Sequence, residues 1–228
     1  MKKPPPAINL YFSLAAILAL FFFAPLLVSC SDDPVALAAT QSQLVFDWPD
    51  YESVPEQRLS VFVEFSSNVR RVELITVRHG QFVWNIENPV MIQAGDRQWA
   101  GASNLEPPPG ENAVSGVFES GLYSVECVDA QGEKTQGSFS INYDREIMSD
   151  NAASFVEKGI FKNARVAVYS ESNELLYFDV KKENWIDAET LFKGVKNSSL
   201  YRDVFMSGNL ICFMPKIFKG GEKADVLE

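Results

Sequence analysis

The chain has 228 residues, with 20 Lys plus Arg against 30 Asp plus Glu, one His and three Cys, a formal charge of −10. So few cations exclude a protein that grips nucleic acid phosphates. An apolar share of 46% excludes a disordered chain, three Cys exclude a disulfide-built miniprotein, and a single His removes the commonest zinc sites.

Lys2 and Lys3 open the chain, and no further charge appears until Asp32. Between them lies the apolar run Leu14 to Val28, behind a short basic start. This is the layout of a secretory signal, in which the positive end stays cytoplasmic and the apolar stretch enters the translocon. A spanning helix over 8–29 is the competing reading, interrupted by Asn9 and Pro25.

The run ends in Leu27-Val28-Ser29-Cys30, which resembles the lipobox of bacterial lipoproteins. The resemblance implies cleavage between Ser29 and Cys30 and a diacylglyceryl thioether on Cys30, with palmitate among the chains attached. Cysteine suits the role because its thiolate is a strong nucleophile. Each buried CH₂ is worth about 0.8 kcal/mol, so two or three chains hold a protein at a membrane where one is marginal. Loss of residues 1–29 removes two positive charges and no negative one, leaving −12 on residues 30–228. Ser31 follows the cysteine where the enterobacterial retention signal has Asp, which directs the lipoprotein to the outer rather than the inner membrane. Residues 30–40 show no strand alternation and read as a lipidated tether.

Over 41–144 the pattern is one short strand after another. Leu59, Val61, Val63 and Phe65 alternate with Arg58, Ser60, Phe62 and Glu64, the period of a half-buried strand. A second run, Val69 to Arg78, meets Gln81 to Ile86 across His79-Gly80, a hairpin in which Gly80 supplies positive φ. Asn104 to Asn112 holds Pro107-Pro108-Pro109, a rigid extended loop. Tyr123, Val125 and Cys127 share one face of a strand, and Thr135, Gly137, Phe139 and Ile141 one face of the next. Strands of this length with turn signals every eight to twelve residues predict an antiparallel β-sandwich.

The stretch Gly121-Leu-Tyr123-Ser-Val125-Glu-Cys-Val-Asp129-Ala-Gln-Gly132 is similar to the F–G hairpin of immunoglobulin-like, PKD-like and fibronectin type III-like modules. The similarity implies that Tyr123 is a tyrosine corner, its hydroxyl tied to backbone a few residues upstream. The early strand has no cysteine, so the inter-sheet disulfide of antibody domains is missing. After Tyr143 the elements become mixed. Helices are predicted over Asp150–Gly159 and Asp187–Gly194, a hairpin over Ala164–Ser170 and Glu174–Val180, and a last strand over Gly208–Pro215. The whole reads as mainly β, an immunoglobulin-like sandwich followed by a small α+β unit over 145–218 and a polar tail over 219–228.

Candidate chemistry is sparse. Cys127 and Cys212 are the thiols left after lipidation, an even pair that an oxidising compartment either bridges or leaves as small buried hydrophobes. His79 reads as an exposed turn residue. Trp84 and Trp99, with Tyr51 and Phe82, offer an aromatic platform for sugar rings or else core packing. The carboxylates form no calcium loop, and neither a metal nor a cofactor beyond the lipid is expected. No phosphate loop, nucleophile elbow or metal-binding helix motif is present. The expected role is therefore binding or structural rather than enzymatic. A module on a lipid anchor would contact a protein or glycan partner at the bacterial cell envelope. The competing expectation is a hydrolase of envelope polysaccharide, which needs only two carboxylates.

Overall fold

The alternation of Leu59, Val61, Val63 and Phe65 becomes the buried face of one strand, and their neighbours point outward. In the computed structural model, residues 36–66, 69–109, 116–159 and 164–220 are described. The expected signal segment 1–29 and the expected lipidation site Cys30 lie outside them. No described helix is long and apolar enough to cross a membrane.

Thirteen strands are described: β1 (Leu37–Asp47), β2 (Glu56–Phe65), β3 (Val72–His79), β4 (Phe82–Glu87), β5 (Val90–Ala94), β6 (Arg97–Leu105), β7 (Gly121–Asp129), β8 (Lys134–Ile141), β9 (Ala164–Ser170), β10 (Leu175–Asp179), β11 (Ser198–Ser207), β12 (Leu210–Phe213) and β13 (Ile217–Phe218). Two short helices join them, α1 (Ala152–Lys158) and α2 (Ala188–Gly194). Nine strands make one sheet, in the order β10-β9-β11-β12-β1-β2-β6-β5, with β13 beside β11. The other four form a second sheet, β4-β3-β7-β8. All pairings are antiparallel except β1 with β12, which run parallel with Leu44 opposite Leu210. The protein is thus mainly β, with two packed sheets and a small helical part.

The main core lies between the sheets. Leu44, Phe46, Val61 and Val63 of the large sheet are closed off from solvent with Ile75, Val77, Tyr123 and Ile141 of the small one. The β3–β4 hairpin turns at Gly80, whose φ of +55° lies in the left-handed region that glycine adopts without strain. Where a strand was expected from Val69, Val69–Arg71 instead form a 3₁₀ turn before β3. The first strand also starts earlier than its alternation suggests. Leu37 already pairs with Phe65, inside the stretch that reads as a tether, and a bulge between Leu37 and Ala39 hides the period.

Residues beyond 145 continue the same large sheet, because β12 lies directly beside β1. Both helices are capped, the first by Asn151 rather than by Asp150, on which the expected helix opens. Asn151 accepts from the Ser154 amide, while Asp187 and Thr190 bond reciprocally as a capping box. A satellite cluster of Val166, Val168, Trp185, Leu191, Phe192 and Tyr201 sits under α2. Its neighbour Asp203 is half-buried, and loss of hydration holds its carboxyl above the usual range against the opposing pull of Lys181. A carboxyl raised in the folded state favours folding while protonated. That contribution fades as pH rises from the unfolded value, about 3.9, through the raised one. Asp203→Asn is therefore expected to melt higher than the wild type at pH 7, with the difference vanishing towards pH 4. A gap that persists at pH 4 would point to a packing effect instead.

Candidate functional site

Because side chains alternate across β2 and β6, the residues between the buried ones face outward on the large sheet. Phe62 pairs with Gly101, Glu64 with Trp99, and Trp99 in turn with Ile92 of β5. Gly101 is what admits the aromatic residue there. A Cβ on it would stand 2.1 Å from the Val61 carbonyl oxygen and 2.8 Å from the Phe62 ring. The Phe62 ring therefore lies close over bare backbone. A trough of about 270 Å³ results, lined by Gln41, Gln43, Ser60, Phe62, Trp99 and Ile92 among others. No residue lining it is ionisable. Phe62 and Trp99 are both half-buried, and neither the Trp99 indole N–H nor the Gln41 and Gln43 amides have a protein partner among the described residues. Beside Trp99 on the same face, the largely exposed Arg97 guanidinium stands 3.6 Å from the Glu64 carboxylate.

The sheet ends at β5 with Val90, Met91 and Ile92 exposed at 57%, 40% and 42%. Among the described residues this edge has no neighbouring strand, and such an edge, apolar and uncharged, presents backbone donors and acceptors to a partner.

The two tryptophans expected to form a platform stand on different sheets. Trp99 lines the trough, whereas Trp84 lies on β4, packs against Phe118 and Tyr123, and donates its indole N–H to the Glu106 carbonyl at 2.9 Å. Phe82 accompanies Trp84, with ring centroids 6.4 Å apart, and Tyr51 sits near Asp203. The structure does not bring these four together. In place of Trp84, Trp99 has Phe62 and the amides of β1. No sequence signal marks them except an aromatic residue at an outward position of β2.

Tyr123 is fully buried, and its hydroxyl donates to the Glu119 carbonyl, four residues upstream, at 2.8 Å. Burial raises its pKa. His79 is not a free turn residue. Its ring stacks on Tyr123 at 4.2 Å, with Nδ1 3.0 Å from the Leu122 carbonyl oxygen. Pro107 and Pro109 border a separate polar hollow with Arg58 and Glu106.

Cys127 and Cys212 are two separate buried thiols rather than a bridge, one on β7 and one on β12. Burial pushes each up to about 12. Since the thiolate is the reactive form, neither should react with a maleimide or a disulfide reagent at pH 8 while the protein is folded. Denaturant should expose both, and mobility should not change with reductant. Rapid labelling of the native protein would contradict this. Among the described residues, no three His, Cys, Asp or Glu side chains gather as a metal site.

Compared with family models, with curated proteins and with solved structures, the chain matches none.

Proposed function

We propose that this chain is a membrane-anchored bacterial lipoprotein with a binding or structural role at the cell envelope, where its sandwich meets a protein or glycan partner. The anchor rests on Leu27-Val28-Ser29-Cys30, placed directly before the folded body. The observation that carries the binding role is the outward face of the large sheet. There, half-exposed Phe62 and Trp99, unpaired amides and an open strand edge lie side by side. Groups so placed leave apolar area and hydrogen-bonding capacity unused, which is what a partner covers.

Metabolic labelling with palmitate tests the anchor. The wild type should be marked and Cys30→Ala should not, and labelling that survives the change overturns the anchor. Sedimentation with envelope fragments, taken from cells lacking the protein, tests the role of the face. Full-length wild type in detergent should pellet with them, and the Phe62→Ala/Trp99→Ala variant should stay in the supernatant. Equal pelleting of both removes the face from the role.

A further inference from the structure

The trough on the large sheet has a chemistry that selects among ligands. Its floor is aromatic: the Phe62 ring lies over Gly101, and Trp99 stands on the adjacent strand, β6. Its polar groups are the amides of Gln41 and Gln43 and the hydroxyl of Ser60, which both donate and accept hydrogen bonds without carrying charge. The charged side chains that flank the trough on this face are paired, Arg97 with Glu64 and Arg58 with Asp47 and Glu56. An anionic ligand would find no lining cation and would approach a chain of formal charge −10. A cationic ligand would find no lining carboxylate.

We propose that this trough seats pyranose units of an uncharged polysaccharide, an inference that rests on the binding role given above. A pyranose is built to match it. Its ring faces present C–H groups, which lose hydration favourably against the Phe62 and Trp99 rings. Its rim presents hydroxyls, which pair with amides and hydroxyls of equal versatility. The volume, about 270 Å³, falls just below the usual range for small-molecule sites, roughly 300–1,000 Å³. The site therefore takes a short stretch of a longer chain, which lies in the open trough and continues beyond it. Trp99 is the principal contact, since its indole N–H is free to bond a hydroxyl as its ring stacks.

Affinity electrophoresis of the full-length protein in detergent, through gels holding a mixed-linkage β-glucan, a mannan or dextran, tests the proposal. A polygalacturonate gel is the charged comparison. At least one neutral polysaccharide should slow the wild type. Trp99→Ala should reduce that retardation at least fivefold, Gln41→Ala/Gln43→Ala should reduce it partly, and Trp99→Phe should keep most of it. A thermal melt of each variant shows whether it is folded, and if Trp99→Ala is not, Gln41→Ala/Gln43→Ala carries the test, with undiminished retardation overturning the proposal. Retardation by none of the neutral gels, by polygalacturonate instead, or undiminished in Trp99→Ala overturns the proposal. If the wild type still pellets with envelope fragments in those cases, and more than Phe62→Ala/Trp99→Ala does, only the ligand class fails. If it does not pellet, the binding role fails with it.

Discussion

Arg202→Ala is expected to cost about 3–5 kcal/mol of stability, the loss that follows when one member of a buried ion pair is removed. Arg202 lies in the middle of β11 and is only 7% exposed. Its Nε donates to the Met214 carbonyl at 2.5 Å, and Nη2 reaches the Trp48 and Phe213 carbonyls, both at 3.2 Å, as well as the Asp47 carboxylate. The guanidinium also lies 5.2 Å from the centre of the Phe213 ring. A single planar fork thus closes acceptors on β1 and on the β12 end, and Asp47 lies 155 residues away in sequence. Alanine leaves the Trp48 and Met214 carbonyls without that donor and Asp47 with Arg58 alone, 4.0 Å away, while the Phe213 carbonyl keeps the Trp48 amide. Arg202→Lys, with one point charge in place of the fork, should still lose part of the stability. Urea unfolding at pH 7 measures the effect. A change below about 1 kcal/mol would put the pair in the class of exposed ion pairs. The double variant Arg202→Met with Asp47→Asn should recover much of the loss, because an apolar side chain in place of a buried charge removes the desolvation cost as well.

A second large effect is expected at Trp48. Its side chain is fully buried, its indole N–H donates to the Asp150 carbonyl at 2.9 Å, and its ring packs on Phe155 of α1 with centroids 4.6 Å apart. Trp48→Ala should cost about 3–5 kcal/mol through lost burial and the cavity left behind. For a chain of this size that lowers the melting temperature by about 2–4 °C per kcal/mol. Trp48→Phe separates the two contributions. It keeps most of the apolar volume and strands the Asp150 carbonyl, so about 1–3 kcal/mol should be lost. Asp150 also holds Lys158 at 2.8 Å, which ties the end of α1 to the same point. Amide exchange should therefore rise across 145–159 in either variant before it rises in β3 and β7. Uniform acceleration across the sheets would show that Trp48 supports the whole core rather than this junction.

The legible parts of the fold are those where one face is apolar and the other is not. β2 and β7 announce themselves through Leu59-Val61-Val63 and Tyr123-Val125-Cys127, and α2 through its cap. β11 stays hidden, since Arg202 and Asp203 in its centre look like a solvated loop. Arg202 is buried because Asp47 and the Trp48 carbonyl, partners that no local window contains, satisfy it. β6 is obscured for another reason. Ala100-Gly101-Ala102 has low strand preference, and Gly101 is required by the close approach of Phe62 rather than by its own strand. At the candidate site, Trp99 is readable as an aromatic with spare contact area. Gln41, Ser60 and Ile92 are not, because four strands scattered through the sequence must first align to bring them beside it.

The parallel pairing of β1 with β12 imposes an order of events on synthesis. β1 is the earliest of the described strands to be made, yet it lies inside the large sheet with Leu44 beside Leu210, a residue near the far end of the chain. Until that end has been delivered, one edge of β1 stands open with its backbone groups unpaired. Long-range pairings of this kind form slowly and leave strand edges exposed to unwanted association meanwhile. The nascent chain would thus spend its vulnerable interval waiting for β12. An escort that shields β1 during that interval would raise the yield of folded protein without altering its final stability.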